Sequence, residues 1–126
     1  MSLGTPLKRV RGLGSAKEGA DHFWLQRVTA VANVLLVCFF IGLVLRLIGQ
    51  SHAIVKAALA NPLVSVPLLL LILSATIHMR LGMQTIIEDY VTAEGRKIAA
   101  LLANTFFAIV VGLVSVYSVL KLSFGV

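Results

Sequence analysis

The chain has 126 residues, of which 59% are hydrophobic and only 13% charged, and its mean hydropathy is +0.98. So little polar surface cannot coat a globular domain in water, which excludes a soluble fold and points to a bilayer as the solvent. The net charge of +6 and pI near 10.1 come from basic residues flanking apolar runs, with no basic stripe interleaved with aromatics. Anionic lipid headgroups account for this better than nucleic acid does.

Residues 1–22 carry Lys8, Arg9, Arg11 and Lys17 among Gly4, Gly12, Gly14 and Gly19 and show no apolar periodicity. This stretch reads as a basic tail, mobile or lying on the membrane surface. The first apolar run, about 23–48, has no small-residue cleavage site within it and is expected to remain as a membrane helix. Cys38, inside that run, is the only cysteine, so no disulfide framework or thiol pair exists, and its bland reading is a small packing or lipid-facing residue. A loop at 49–61 follows, and a second run at about 63–88 opens with Asn61-Pro62 and carries Pro67 early, where a missing backbone donor is best tolerated. The third run covers about 98–122 and leaves a short end at 123–126. Each run is long enough for a hydrocarbon core of about 30 Å. Three segments cannot close a barrel, so the expected fold is all-α, a bundle of three membrane helices.

Cations set the orientation. Lys8, Arg9, Arg11, Lys17, Arg27, Arg96 and Lys97 cluster at one end of the spans, against Arg46, Lys56 and Lys121 at the other. The N-terminus and the 90–97 loop are therefore expected on the cytoplasmic side of a bacterial inner membrane, or the matrix side of a mitochondrial one.

The second span is chemically the most informative. Ser74, His78, Gly82, Thr85 and Asp89 recur at intervals of four, four, three and four, which at about 100° per residue places them on one stripe. An imidazole facing lipid tails would lack a partner, so the stripe is expected to face protein, a cofactor or a wet cavity. At about 1.5 Å per residue, His78 lies roughly 16 Å from Asp89 along the axis, well inside the bilayer. Two readings stand at this point: His78 hydrogen-bonds a neighbouring helix, or it serves a cofactor. Gly82, one turn away, opens room for either a flat group or a closely packed helix. Tyr90 suits an aromatic belt, and Asp89 beside it could orient or relay a proton.

These residues carry a resemblance. Ile77-His78-Met79-Arg80-Leu81-Gly82-Met83 followed by Glu88-Asp89-Tyr90-Val91 is similar to the HxxxGM and DYV signature of the small hydrophobic membrane-anchor subunits of succinate dehydrogenase, respiratory complex II. Gly12-Leu13-Gly14-Ser15-Ala16-Lys17-Glu18-Gly19, His22-Phe23-Trp24 and Gln26-Arg27-Val28-Thr29-Ala30 resemble the segment entering the first helix of the bacterial form. The resemblance covers the whole chain in length, span count and orientation.

In that family two three-span anchors share a b-type haem, which implies that His78 is one axial ligand and that the sister cytochrome b anchor supplies the other. Six-coordinate haem needs two axial ligands, and His22 and His52 are expected outside the membrane depth, before the first helix and in the opposite loop. The resemblance further implies that Tyr90 binds ubiquinone with Asp89 behind it. It also implies that Arg27 lies near the haem propionates, where a guanidinium suits carboxylates, and that Ser74 and Gly82 belong to the haem pocket. The implied partners are the iron–sulfur and flavoprotein subunits, which carry the succinate chemistry, so no catalytic residue for succinate is expected here.

Arg80 departs from the family pattern. It lies about 200° around the helix from His78, free to snorkel towards headgroups, to approach Glu88 through Gln84, or to meet the sister subunit. In the third span, Ala108, Gly112, Ser115 and Ser118 form a small-residue ridge suited to close packing. Rival readings are a haem-free anchor of the fumarate reductase type and a small proton-coupled transporter component using His78 and Asp89. The latter would more naturally show repeats or mid-membrane helix breaks, and neither is evident.

Overall fold

The computed structural model describes residues 5–7 and 16–125, with side chains from Gly19 onward in the main body. Four helices follow in order: α1 (Ala16–Leu47), α2 (His52–Ala60), α3 (Pro62–Tyr90) and α4 (Glu94–Ser123). Three of them, α1, α3 and α4, are long and apolar enough to cross a membrane. At about 1.5 Å per residue each of these exceeds a hydrocarbon core of roughly 30 Å, so their ends reach the headgroup layers.

Two departures from the sequence expectation concern boundaries. The first helix is already formed at Ala16, the first described residue of that segment, well before residue 23. Ala16, Lys17, Glu18 and Ala20 are good helix formers, and extending an existing long helix avoids the nucleation cost of starting one. His22 is therefore inside α1, not before it. Lys8, Arg9, Arg11 and the side chain of Lys17, on which the basic-tail reading rests, lie outside the described residues. The second departure is α2, in the stretch expected as a loop. Gly49, at φ +76°, takes the left-handed conformation that ends α1. Ser51 Oγ then accepts from the Ile54 amide at 3.4 Å to cap the new helix. The helix packs on α3 and α4 and buries Leu59, while Val55 and Leu59 share with Phe40, Leu43 and Leu68 the lining of an open apolar groove beside α1. Lys56 Nζ donates to the Gly125 carbonyl at 2.9 Å and so fastens α2 to the end of α4.

Asn61 ends α2 and begins α3, its Oδ1 accepting from the Leu63 amide at 3.0 Å. Pro62 occupies the first turn of α3, where no amide partner is lost, and the helix runs through Pro67 without interruption to Tyr90. The turn to α4 is short. Val91 and Ala93 are extended, Lys97 N donates to Ala93 O at 2.8 Å, and Glu94 sits in the first turn where the helix dipole favours an acid.

α3 is the middle of the layer, packed by α1 on one side and α4 on the other. The α3–α4 seam is tight because its residues are small. Ala108 is 1% exposed, and a Cβ built on Gly112 would lie 3.3 Å from Thr76 Cγ2, so the Ala108 and Gly112 part of the ridge read from the third span works as a packing surface, whereas Ser118 is exposed and bonds back to the Val114 carbonyl of its own helix. Polar contacts continue this seam: Asn104 Nδ2 donates to the Arg80 carbonyl at 2.9 Å and Arg80 Nε to Thr105 Oγ1 at 3.4 Å. Arg80 thus turns to α4, a contact outside the three destinations considered for it, while Gln84 donates to Glu88 at 2.8 Å.

Candidate functional site between the first two spans

The polar stripe of α3 has a counterpart on α1. His22, Gln26, Thr29 and Asn33 recur at intervals of four, three and four, the spacing of a single helix face. In an otherwise apolar span that face must be turned to protein, and it meets the stripe of α3. Ser74 Oγ donates to the Thr29 carbonyl at 3.2 Å, and Thr29 Oγ1 lies 3.1 Å from His78 Nδ1. Gly82 faces Gln26, whose Nε2 would be 3.5 Å from a Cβ built there, an ordinary contact with no other atom close by. Thr29 is buried, with 5% exposure.

Towards the residue-22 end the two faces separate into a side-open cleft of about 340 Å³, lined by His22, Phe23, Gln26, Arg27, Ala30, His78 and Thr85. Two of its polar atoms, His22 Nε2 and Gln26 Oε1, are buried without a hydrogen-bond partner among the described residues, as is Asn33 Oδ1 further along the same face. A buried polar atom left unpaired costs about 1–3 kcal/mol. The cleft therefore calls for a polar occupant or a further subunit. At its rim the Arg27 guanidinium stacks 5.0 Å over the Phe23 ring, which holds the cation at the surface of the span.

Asp89 and Tyr90 close α3 at the membrane boundary. Tyr90 is 80% exposed and lines a second cleft of about 330 Å³ with Val91, Thr92, Arg96 and Ala100. Asp89 is exposed and is not among the residues lining either cleft; the charged side chain brought to Tyr90 is Arg96. The sequence reading missed Arg96 in this role; it quoted His22 and Gln26 only for the resemblance, gave them no place in the site, and did not single out Asn33. No group of three or more His, Cys, Asp or Glu capable of enclosing a metal ion occurs among the described residues.

The arrangement fits a haem on observations of its own. His78 engages one ring nitrogen with Thr29, and no described group engages the other. The cleft beside it is open on one side, and unpaired polar atoms line it with a guanidinium at its rim. Fold and site together define a polytopic membrane subunit, three spans in a single layer with a polar, cofactor-sized cleft between the first two.

Comparison with known proteins gives the family. Residues 1–112 match the family described as succinate dehydrogenase/fumarate reductase transmembrane subunit, and the chain belongs to it. It is similar to the succinate dehydrogenase hydrophobic membrane anchor subunit of Paracoccus denitrificans, with 33% identity over 96% of this chain and 93% of that one. The corresponding subunit of Rickettsia bellii is 32% identical over 80% of this chain and 81% of that one. The membrane anchor subunit of Reclinomonas americana is 29% identical over 74% and 80% respectively. No solved structure matches.

Proposed function

We propose that this chain is the hydrophobic membrane anchor of a succinate dehydrogenase, holding a b-type haem jointly with a sister anchor subunit and contributing to a ubiquinone site at the cytoplasmic face. The observation that carries the reading is the mid-span imidazole of His78. It is tied to α1 through Nδ1 and leaves Nε2 available beside a cleft that one chain does not close. When bound, the haem supplies one-electron redox chemistry.

The residues of this chain have separate tasks. His78 offers an axial nitrogen, and Ser74 and Gly82 keep α1 and α3 in the spacing that leaves the ring accessible. Arg27, with its cation at the cleft rim, and the unpaired His22 Nε2 suit the propionates. Tyr90, about 18 Å further along α3 at about 1.5 Å per residue, donates its phenolic hydrogen to a quinone carbonyl. Reduction of the quinone consumes two electrons, delivered from the iron–sulfur subunit, and two protons. Arg96 across the Tyr90 cleft gives the headgroup polar surroundings, and Asp89, next to Tyr90 in sequence but outside the lining, would act on it only through Tyr90 or the surrounding water. The N-terminal end of α1 and the 91–93 turn lie at one end of the layer and would face the cytoplasm, or the matrix, to dock the iron–sulfur and flavoprotein subunits.

The test is a dithionite-reduced minus oxidised optical spectrum of the detergent-purified complex, with and without His78→Ala. The expected result is a b-type α-band in the wild type that is displaced or lost in the variant. An identical band in both removes His78 as a ligand.

A further inference from the structure

The pairing of Thr29 with His78 fixes more than a distance. Thr29 Oγ1 has one hydrogen and three close neighbours: the Leu25 carbonyl at 2.8 Å, the Gln26 carbonyl at 3.2 Å and His78 Nδ1 at 3.1 Å. Two oxygens held at 2.8 Å repel unless a hydrogen lies between them, so the hydroxyl hydrogen belongs to the bond back to Leu25, the pattern a helical threonine commonly forms. The hydroxyl then has only lone pairs to offer His78, and Nδ1 must be the donor. In a neutral imidazole a proton on Nδ1 leaves the lone pair on Nε2.

We propose that Thr29 is the positioning residue that sets the tautomer and ring orientation of His78 and thereby tunes the iron it binds. The inference rests on the assignment of His78 as an axial ligand. Thr29 is itself held in register by the helix it serves: Ser74, one turn before His78 on α3, donates to its carbonyl. The threonine is thus clamped between two residues of α3, buried from both lipid and water. Its hydroxyl cannot turn away without breaking the Leu25 bond. A hydrogen bond accepted from the distal nitrogen of a metal-bound histidine raises the basicity of the ligating nitrogen. A more basic ligand favours ferric over ferrous iron, so Thr29 lowers the reduction potential relative to an unsupported histidine.

The experiment measures the haem midpoint potential, the haem content and the low-temperature electron paramagnetic resonance spectrum of the assembled complex carrying Thr29→Val, Thr29→Ser or Thr29→Cys, beside wild type and His78→Ala. Valine keeps the shape of threonine without the acceptor. It is expected to shift the midpoint upward, change the ferric signal and weaken haem retention by about tenfold, the lower end of the effect of such supporting partners. Serine retains the oxygen and should restore wild-type values. Cysteine, whose sulfur is a weak acceptor, should give an intermediate upward shift and serves if the valine variant does not assemble. Valine, or in its place cysteine, indistinguishable from serine in potential and ferric signal overturns the role of Thr29 while leaving His78 as ligand. A wild-type complex without haem, or a spectrum unchanged by His78→Ala, overturns both.

Discussion

Gly112 gives the sharpest test of how the layer is packed. A Cβ added there meets Thr76 Cγ2 at 3.3 Å and Oγ1 at 3.5 Å, a few tenths of an ångström inside the roughly 3.5–4.0 Å at which carbon atoms attract best. Gly112→Ala gains up to about 1 kcal/mol in helix propensity, whereas overpacking a fitted interface costs about 1–3 kcal/mol. The net expectation for the single variant lies between no effect and about 2 kcal/mol of destabilisation. Removing the methyl group with Thr76→Ser relieves the contact, so in the double variant the propensity gain stands alone. The coupling between the two positions is then about 1 kcal/mol or more. The assay is the midpoint temperature for heat-induced loss of the monodisperse complex in detergent. The single variant should lose the complex at a lower temperature than the double variant does. If Gly112→Ala raises the midpoint equally with Thr76 and with Ser at that position, the seam is not limited by this contact and the packing argument fails.

The two clefts make separable predictions. Gly82→Leu places a branched side chain against Gln26, where a Cβ alone would be tolerated; it is expected to lower haem content several-fold in a complex that still assembles, read from the reduced spectrum. Full haem content in that variant would show that the cleft is not the haem site. Tyr90→Phe removes only the phenolic hydroxyl and is expected to reduce quinone reduction by about tenfold or more, the scale of a lost hydrogen bond of about 1.5 kcal/mol. Succinate oxidation with an artificial acceptor should stay near normal, and equal loss of both activities would point to misassembly.

The spans were readable because an apolar run long enough to cross a membrane has few alternatives in a chain this hydrophobic. What lay at their edges was not. The stretch from Ala16 to His22 carries charge and glycine, and only its attachment to a long helix makes it helical. The helix at His52–Ala60 hides in a short segment whose stability comes from Leu59 and Val55 packing on other elements and from Lys56 reaching Gly125. The stripe of Ser74, His78 and Gly82 was legible from its period, and these three do face α1. Asp89, at the end of the same stripe, is exposed. The partner face of His22, Gln26, Thr29 and Asn33 was equally periodic, yet it was masked by the strength of the apolar signal around it. Which helix Arg80 would meet could not be read at all, since its hydrogen bond to Thr105 depends on the packing of α4 against α3.

A layer with α3 in the middle has a consequence for how the subunit is made. Among the described residues only Leu59, Leu68, Leu81, Ile87 and Ala108 are buried apolar side chains, and His22 Nε2, Gln26 Oε1 and Asn33 Oδ1 find no hydrogen-bond partner among those residues. Newly inserted, the protein is therefore a half-built wall whose unmatched polar atoms each carry a penalty of about 1–3 kcal/mol until something meets them. Cofactor and sister subunit would then act as completion signals as well as working parts. The same unmatched atoms would distinguish a subunit still waiting in the membrane from one that has found its place.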